Sequence, residues 1–363
     1  MNEFLLNDTP VKVWAKTVDP HAWKEIDNLS RLPFIYHHLA FMPDVHGGMG
    51  MPIGGVLATK NVVVPNAVGV DIGCGMETVK LMETEIDFEK LDALIRREIP
   101  CGTDIRDTEY PYNSEIDLTE LRCAKHVKLE RARRSIGTLG GGNHFMEYEE
   151  GEDRWAFTVH SGSRSLGTKV FNKWDRVAQR NGGYLSGDAL KGYLTDMVIT
   201  QAYAKYNRKL ILDKAAAIMH KINGAKVDGI IGTTHNYLDF QDLVIRKGAI
   251  RSYAGELVVI PFNMRDGIAI AEGLSNEDWN YSAPHGSGRV MSRTAARRNL
   301  TMTGFKKEMQ GVYSTCITPD TLDESPSAYK PTESILEAVS PTCRVLYILK
   351  SKINLKATNN GNL

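Results

Sequence analysis

Residues 34 to 76, FIYHHLAFMPDVHGGMGMPIGGVLATKNVVVPNAVGVDIGCGM, constrain this chain more than any other stretch. Runs rich in β-branched and aromatic residues alternate with glycine loops, the pattern of strands joined by functional turns. Helical signals lie elsewhere. Pro20 opens a helix with Trp23, Ile26 and Leu29 on one face, stopped by Pro33. Asp87 caps a second helix with Phe88, Leu91 and Ile95 inward, ending near Pro100. A basic helix is predicted through Lys125, Lys128, Arg131, Arg133 and Arg134, and a long alanine-rich one over Leu194 to His220. A strand and turn over Val11 to Asp19, a strand over Arg154 to His160, a β-rich segment over Gly229 to Ile270 and a last strand in VLYILKSKINLK complete the pattern, with residues 102 to 120 an exposed loop. No repeat, low-complexity linker or sharp boundary interrupts it. The fold class is α+β: one interleaved domain over residues 1–356 with mixed sheets around a central cleft, and a frayed tail over 357–363.

Hydrophobic residues make up 42% and charged residues 24% of the 363, enough to bury a sizeable core in a soluble protein. The formal net charge of zero argues against a general nucleic-acid coat but allows a local basic groove. Five cysteines without a close pair predict a reducing, cytoplasmic setting. The N-terminus lacks a secretory pattern, and no apolar run approaches the roughly 20 residues a bilayer needs.

The chemistry concentrates in dispersed motifs. Asp71 and Cys74 sit three apart in VDIGCGM, and the glycines around them allow a tight turn that aims both side chains at one point. A carboxylate and a thiolate so placed make half of a divalent metal site; alone, the motif reads equally as a β-turn with a buried cysteine. His144 follows three glycines in GGGNHFME, His160 ends a strand, and His235 follows an apolar run. Each alone reads as a structural histidine. Together with Asp71 and Cys74 they make five ligands, more than one closed four-coordinate site, which suggests two ions sharing a ligand. Their softness on affinity grounds favours zinc or copper. His21, His126 and His220 read as surface or packing residues, adjacent His37 and His38 as pointing to opposite faces, and His46 as ambiguous.

A histidine of another kind stands in YSAPHGSGRVMSR, residues 281 to 293. His285 lies among small residues, with Arg289 and Arg293 four apart and sharing a face if a helix starts near Ser287. A histidine beside two guanidinium forks suits attack on a phosphorus, and Asp44 in MPDVHGG can orient such an imidazole. Arg164, Arg289 and Arg293 are candidate phosphate clamps, and the amides of GTLGGGNH with Asn143 can cradle phosphate oxygens. There is no P-loop. KVDG, residues 226 to 229, resembles the lysine motif of other nucleotidyl-transfer enzymes, but reads as a helix-to-strand turn.

These motifs, MPDVHGGMGMPIGGV, AVGVDIGCGM, LGGGNHFME, HSGSRSLG, HNY and HGSGRVMSR, resemble the RtcB family of GTP-dependent RNA ligases over nearly the whole chain. The resemblance implies joining of an RNA 3′-phosphate or 2′,3′-cyclic phosphate end to a 5′-hydroxyl end, with GTP and two manganese ions, in RNA repair or tRNA processing. It implies guanylylated His285, Asp44 orienting it, and Asp71, Cys74, His144, His160 and His235 as the metal ligands. Asn143, Glu147, Lys356 and Arg289 fall around the nucleotide, and Arg164 and Arg293 where phosphate or RNA binds. It departs at PFNMRDG, residues 261 to 267, where the family carries a Gly-Ser-Met-Gly turn, and at Ser287, where alanine is common. The basic residues at 125–134 and 293–307 are the expected RNA path, and a monomer the expected state. The competing readings are a two-metal phosphoesterase or nuclease without nucleotidyl transfer, a non-catalytic RNA-binding factor, and Lys226 as nucleophile.

Overall fold

The computed structural model describes residues 2–82, 85–110 and 116–358. Part of the expected exposed loop, 111–115, and most of the expected frayed tail, 359–363, lie outside the described residues. In chain order the strands are β1 (Asn2–Leu6), β2 (Thr9–Val13), β3 (Ile35–His46), β4 (Ile53–Thr59), β5 (Gly75–Leu81), β6 (Phe145–Gly151), β7 (Arg154–Ser161), β8 (Val227–Thr234), β9 (Asn236–Leu238), β10 (Val244–Lys247), β11 (Ala249–Arg251), β12 (Leu257–Pro261), β13 (Ile268–Gly273), β14 (Ser282–Pro284) and β15 (Cys343–Leu355). They form a six-stranded sheet, β1-β2-β3-β4-β10-β9, a seven-stranded sheet, β12-β13-β15-β6-β7-β5-β8, and the pair β11-β14. The β2–β3 pairing is parallel. The last strand of the seven packs back towards the first, so that sheet curls upon itself. The architecture is α+β, as expected.

One register relationship places most of the site. β6, β7, β5 and β8 are antiparallel neighbours, with Phe145 opposite His160, and Gly75 opposite both Ser161 and Thr234. β6 and β5 begin, and β7 and β8 end, at the same sheet edge. His144, Cys74, His160 and His235 therefore come from one rim, although 161 residues separate the outermost two (235 − 74).

Against this sheet and the other runs the helix Gly187–Asn223. Tyr193, Met197, Tyr203 and Leu210 join the core shared with the six-stranded sheet, while Ile211, Ala215, Ile218 and Met219 join the core of the seven-stranded one. A helix buried on several sides buries polar residues too: Asp196, Thr200, Asn207 and Arg208 are all enclosed. It starts seven residues before the predicted Leu194 and ends at Gly224, whose φ of 79° closes the last turn in the left-handed conformation.

Other expectations need correction. The segment after HSGS, for which the sequence predicted no element, is a helix, Arg164–Gln179, which buries Leu166, Val170, Phe171, Trp174 and Ala178; glycine and serine at its start obscure the 3.6-residue spacing. The basic helix covers Leu129–Ser135, with Lys125 in a separate 3-10 turn. No helix starts near Ser287; the helix there begins at Arg293 and is capped by Ser292. The helices Pro20–Ser30 and Phe88–Glu98 match expectation, capped by Asp19 and Asp87. No helix among the described residues is long and apolar enough to cross a membrane.

Candidate active site

The rim of the seven-stranded sheet gathers a buried cluster. Cys74 Sγ lies 3.5 Å from His144 Nε2 and 3.3 Å from His160 Nε2. Asp71 Oδ2 is 3.0 Å from His144 Nε2, and His160 Nε2 is 3.2 Å from His235 Nε2. All five expected ligands thus form one continuous group centred on the thiol.

The tautomers follow from the backbone. His144 Nδ1 donates to the Leu139 carbonyl at 2.8 Å and His160 Nδ1 to the Asn143 carbonyl at 3.1 Å. A carbonyl only accepts, so both protons sit on Nδ1 and both Nε2 lone pairs face the thiol. Burial, reinforced by neighbouring imidazoles, holds His160 and His235 well below the ordinary histidine range, so both are neutral. Burial acts to raise Asp71, but the neighbouring His144 and the Cys74 thiol prevail and hold it at about 2. Burial and the Asp71 carboxylate push the Cys74 thiol upward. Lone pairs and a carboxylate face one another here.

Support comes from the long helix. Arg208 Nη1 donates to the carbonyls of Gly73, at 2.6 Å, and Ser161, at 3.0 Å, next to Cys74 and His160. Asn207 accepts from the amides of Gly137 and Thr138 and donates to Thr138 O, Ser161 Oγ and Gly162 O. Gly162 itself is required: a Cβ there would run into the Asp71 carboxylate. Sequence reading missed Asn207 and Arg208, because a polar pair in a helix normally signals its solvated face.

His285 follows β14 of the β11–β14 pair, which packs beside β3, and approaches this cluster from that side. Its ring stands edge-on to His235, with centroids 5.0 Å apart. Its Nδ1 donates to Asp44 Oδ2 at 2.7 Å, so Nε2 keeps the lone pair. Gly288 lets this loop close on β3, since a Cβ there would overlap the Asp44 carbonyl, and its φ of 69° is left-handed. The same Asp44 also holds His46, whose Nδ1 donates to the Asp44 carbonyl at 2.9 Å.

A cleft opens over these rings, bounded by His160, His235, His285, Asn143, Glu147, Arg289, Arg293 and Lys356. Arg289 and Arg293 converge without a shared helix face, because both reach Glu324, at 3.4 and 2.5 Å. Lys356 Nζ meets the same carboxylate at 2.9 Å, and Tyr329 donates to it at 2.8 Å. Asp323 pairs with Arg293 and Arg297, each at 2.6 Å. Burial acts to raise Glu324, but Lys356 and Arg293 overcome it and hold the acid at about 2. Nothing in the spacing of Asp323 and Glu324 announced this role. On the opposite wall, Glu147 is pushed up to about 8 by burial, against the hydrogen bond from Asn354 and the charge of Lys356.

Other expected residues sit apart. Arg164 does not line the cleft with Arg289 and Arg293; it lies behind the glycine loop, donating to Thr138 Oγ1 at 3.0 Å and the Gly102 carbonyl at 2.6 Å. Its own φ is 55°. The basic residues after Arg293 are partly consumed, since Arg293 and Arg297 are bound to buried acids. PFNMRDG forms the β12–β13 turn, with Asn263 and Met264 on the cleft wall and Asn263 bracing Asp266 at 2.8 Å. Lys226 is exposed in the turn before β8, outside the cleft.

Comparison with known proteins agrees with this layout. A family profile described as tRNA-splicing ligase RtcB matches residues 25–122 and 108–357. The RNA-splicing ligase RtcB of Escherichia coli K12 is 30% identical, the alignment covering 98% of this chain and all of that protein. RtcB1 of Escherichia coli ATCC 25922 is 31% identical over the same shares. The tRNA-splicing ligase RtcB of Archaeoglobus fulgidus is 28% identical over 89% of this chain and 88% of its own length.

Proposed function

Because this chain belongs to the RtcB family and is an RNA-splicing ligase, we propose that it joins RNA 3′-phosphate or 2′,3′-cyclic phosphate ends to 5′-hydroxyl ends through a guanylate carried on His285. The observation that carries the reading is the Asp44–His285 contact at 2.7 Å, which leaves a lone pair on Nε2 beside a group of metal-type donors. Proton placement makes the imidazole a nucleophile, and burial of Asp44 keeps that placement fixed.

In the first step His285 Nε2 bonds to the α-phosphorus of GTP as the bond to pyrophosphate breaks. In the second, an oxygen of the RNA 3′-phosphate displaces the imidazole from that phosphorus. In the third, the 5′-hydroxyl attacks the RNA phosphorus and GMP leaves. A cyclic phosphate is opened by hydrolysis beforehand. Arg289, Arg293 and Lys356 hold the phosphates in line, and Asn143 and Glu147 border the nucleotide.

The donor set fits divalent cations. Ligands bonded to one ion at ~2.0–2.3 Å stand roughly 3–4 Å apart, the spacing found between Cys74, His144 and His160. Asp71, Cys74 and His144 would hold one ion and Cys74, His160 and His235 a second, both manganese in this reading. Bound there, they supply Lewis-acid stabilisation of charge on the transferring phosphoryl groups.

Incubation with α-labelled GTP and manganese tests the proposal. Acid-labile label is expected on the wild-type protein and absent from His285→Ala. An unlabelled wild type, or label retained by the variant, rules the mechanism out and favours a two-metal phosphoesterase.

A further inference from the structure

Arg246, on β10, is fully buried and has no part in the steps above. We propose that Arg246 is a positioning residue: it fixes the placement of His285 against His235, so that His285 Nε2 meets the α-phosphorus in line. The inference rests on the ligase reading and adds to it the device that aligns its nucleophile.

One side of the guanidinium reaches the nucleophile strand. Nε donates to Ser282 Oγ at 2.8 Å, and Nη2 lies 3.4 Å from the carbonyls of both Asn280 and Tyr281. These residues lead into β14, and His285 is the first residue beyond it. The turn they make is strained. Asn280 has φ of 47° and Tyr281 of 52°, two successive left-handed residues with no glycine. Such a turn persists only when its surroundings impose it. Ser282 Oγ donates to the Asn280 carbonyl at 2.8 Å, the Asn280 side chain to the His38 carbonyl at 3.1 Å, and the Ser252 amide to the Tyr281 carbonyl at 2.9 Å. Arg246 is the group that touches all three turn residues.

The other side reaches the strand that carries a metal-type ligand. Nη1 lies 3.3 Å from the hydroxyl of Tyr237, which belongs to the same HNY motif as His235 and faces Arg246 across the β9–β10 register. Just past Arg246, the Gly248 amide lies 2.6 Å from the His235 carbonyl and 2.9 Å from Asn236 Oδ1. A Cβ at Gly248 would stand 3.1 Å from His285 Cε1, so this hairpin abuts both histidines. Pairing of Ala249 with Pro284 sets β11 against β14 in register. The guanidinium sets the turn that feeds β14.

Buried charge is compensated within the hairpin. Asp239 Oδ2 lies 3.2 Å from Nη1 and Asp242 Oδ2 2.8 Å from Nη2. The two acids hold the planar fork while its remaining donors point to the turn and to Tyr237. Lysine presents its donors from a single atom and cannot span those groups. An ion pair placed for stability alone needs only the acids. Here the neutral partners lie before the nucleophile and beside His235, whose ring centroid is 5.0 Å from that of His285. Misplacing a reacting atom by ~1 Å costs about 10²-fold in rate.

Wild type, Arg246→Lys and Ser282→Ala are given manganese and a range of concentrations of α-labelled GTP. Single-turnover labelling of His285 is followed, and manganese bound per chain is measured alongside. The first variant keeps the charge and loses the fork; the second keeps the arginine and removes one contact. The maximal labelling rate should fall about 10²-fold in Arg246→Lys and about 10-fold in Ser282→Ala. The GTP concentration at half-maximal rate should stay within about threefold of wild type, with manganese stoichiometry unchanged. Labelling by Arg246→Lys at the wild-type rate overturns the proposal. So does loss of manganese or of GTP response in proportion to the rate, which marks a structural role. If Arg246→Lys fails to fold, Ser282→Ala decides: wild-type labelling by that variant overturns the proposal. A wild type that takes no label sinks the ligase reading itself, and this inference with it.

Discussion

The two halves of the cleft solve opposite electrostatic problems. On the imidazole side, Asp71, Cys74, His144, His160 and His235 turn lone pairs and negative charge towards one another. On the arginine side, Arg289, Arg293, Arg297 and Lys356 are already matched by Asp323 and Glu324. In charge the first half is incomplete, with donors of one sign only; the second is more nearly complete, its four cations sharing two buried acids. Converging donors of one sign therefore mark the position of a bound group more sharply than a cluster of arginines does, because buried guanidinium groups need acids to be stable at all.

Cys74→Ala strikes the incomplete half at its centre. Manganese bound per chain, measured by elemental analysis, falls below one, and sealing drops by roughly 10³-fold or more, the rate equivalent of several kcal/mol of lost charge stabilisation. Retained stoichiometry with normal sealing would break the contrast. Glu324→Gln tests the complete half, and its signature is stability. Three cations lose their shared carboxylate, at a cost of about 3–5 kcal/mol in denaturant unfolding. The acid response carries the sign. Glu324 sits at about 2 when folded against an ordinary 4.5, so its stabilisation is full above about pH 4.5 and is lost as pH falls towards 2. The wild type should lose on the order of 3 kcal/mol across that window, and the variant should not.

Asn207→Ala sharpens the comparison by leaving every ligand in place. Release of Thr138 and of the end of β7 at Ser161 should weaken manganese binding about 10–100-fold by titration. Unchanged affinity would show that the carbonyls of Leu139 and Asn143 suffice to set the rings. Smallest is Arg297→Ala. Its half-exposed guanidinium pairs with an acid that Arg293 also satisfies, so a loss below about 1 kcal/mol is expected by thermal unfolding.

Some residues were legible because their chemistry is local. Asp71 and Cys74 declare themselves through a glycine turn, and Asp19 and Asp87 through the helices they cap. Others were not. Asp323 and Glu324 end an ordinary 3-10 turn, and their importance appears only when four cations fold onto them. Arg289 and Arg293 were paired for the wrong reason: a shared helix face was expected, and a shared carboxylate does the work. Asn207 and Arg208 looked like a solvated face, and burial between two cores reversed that reading.

Residue type and spacing alone determined the donor set, the nucleophile candidate and the α+β class, because strand alternation, glycine turns and ligand chemistry act over a few residues. Which tautomer each imidazole holds, which acid neutralises which arginine, and that His46 and His285 hang from one aspartate were decided only in three dimensions. Those properties depend on antiparallel register and on the approach of two sheets, contacts made across hundreds of residues that no local pattern encodes.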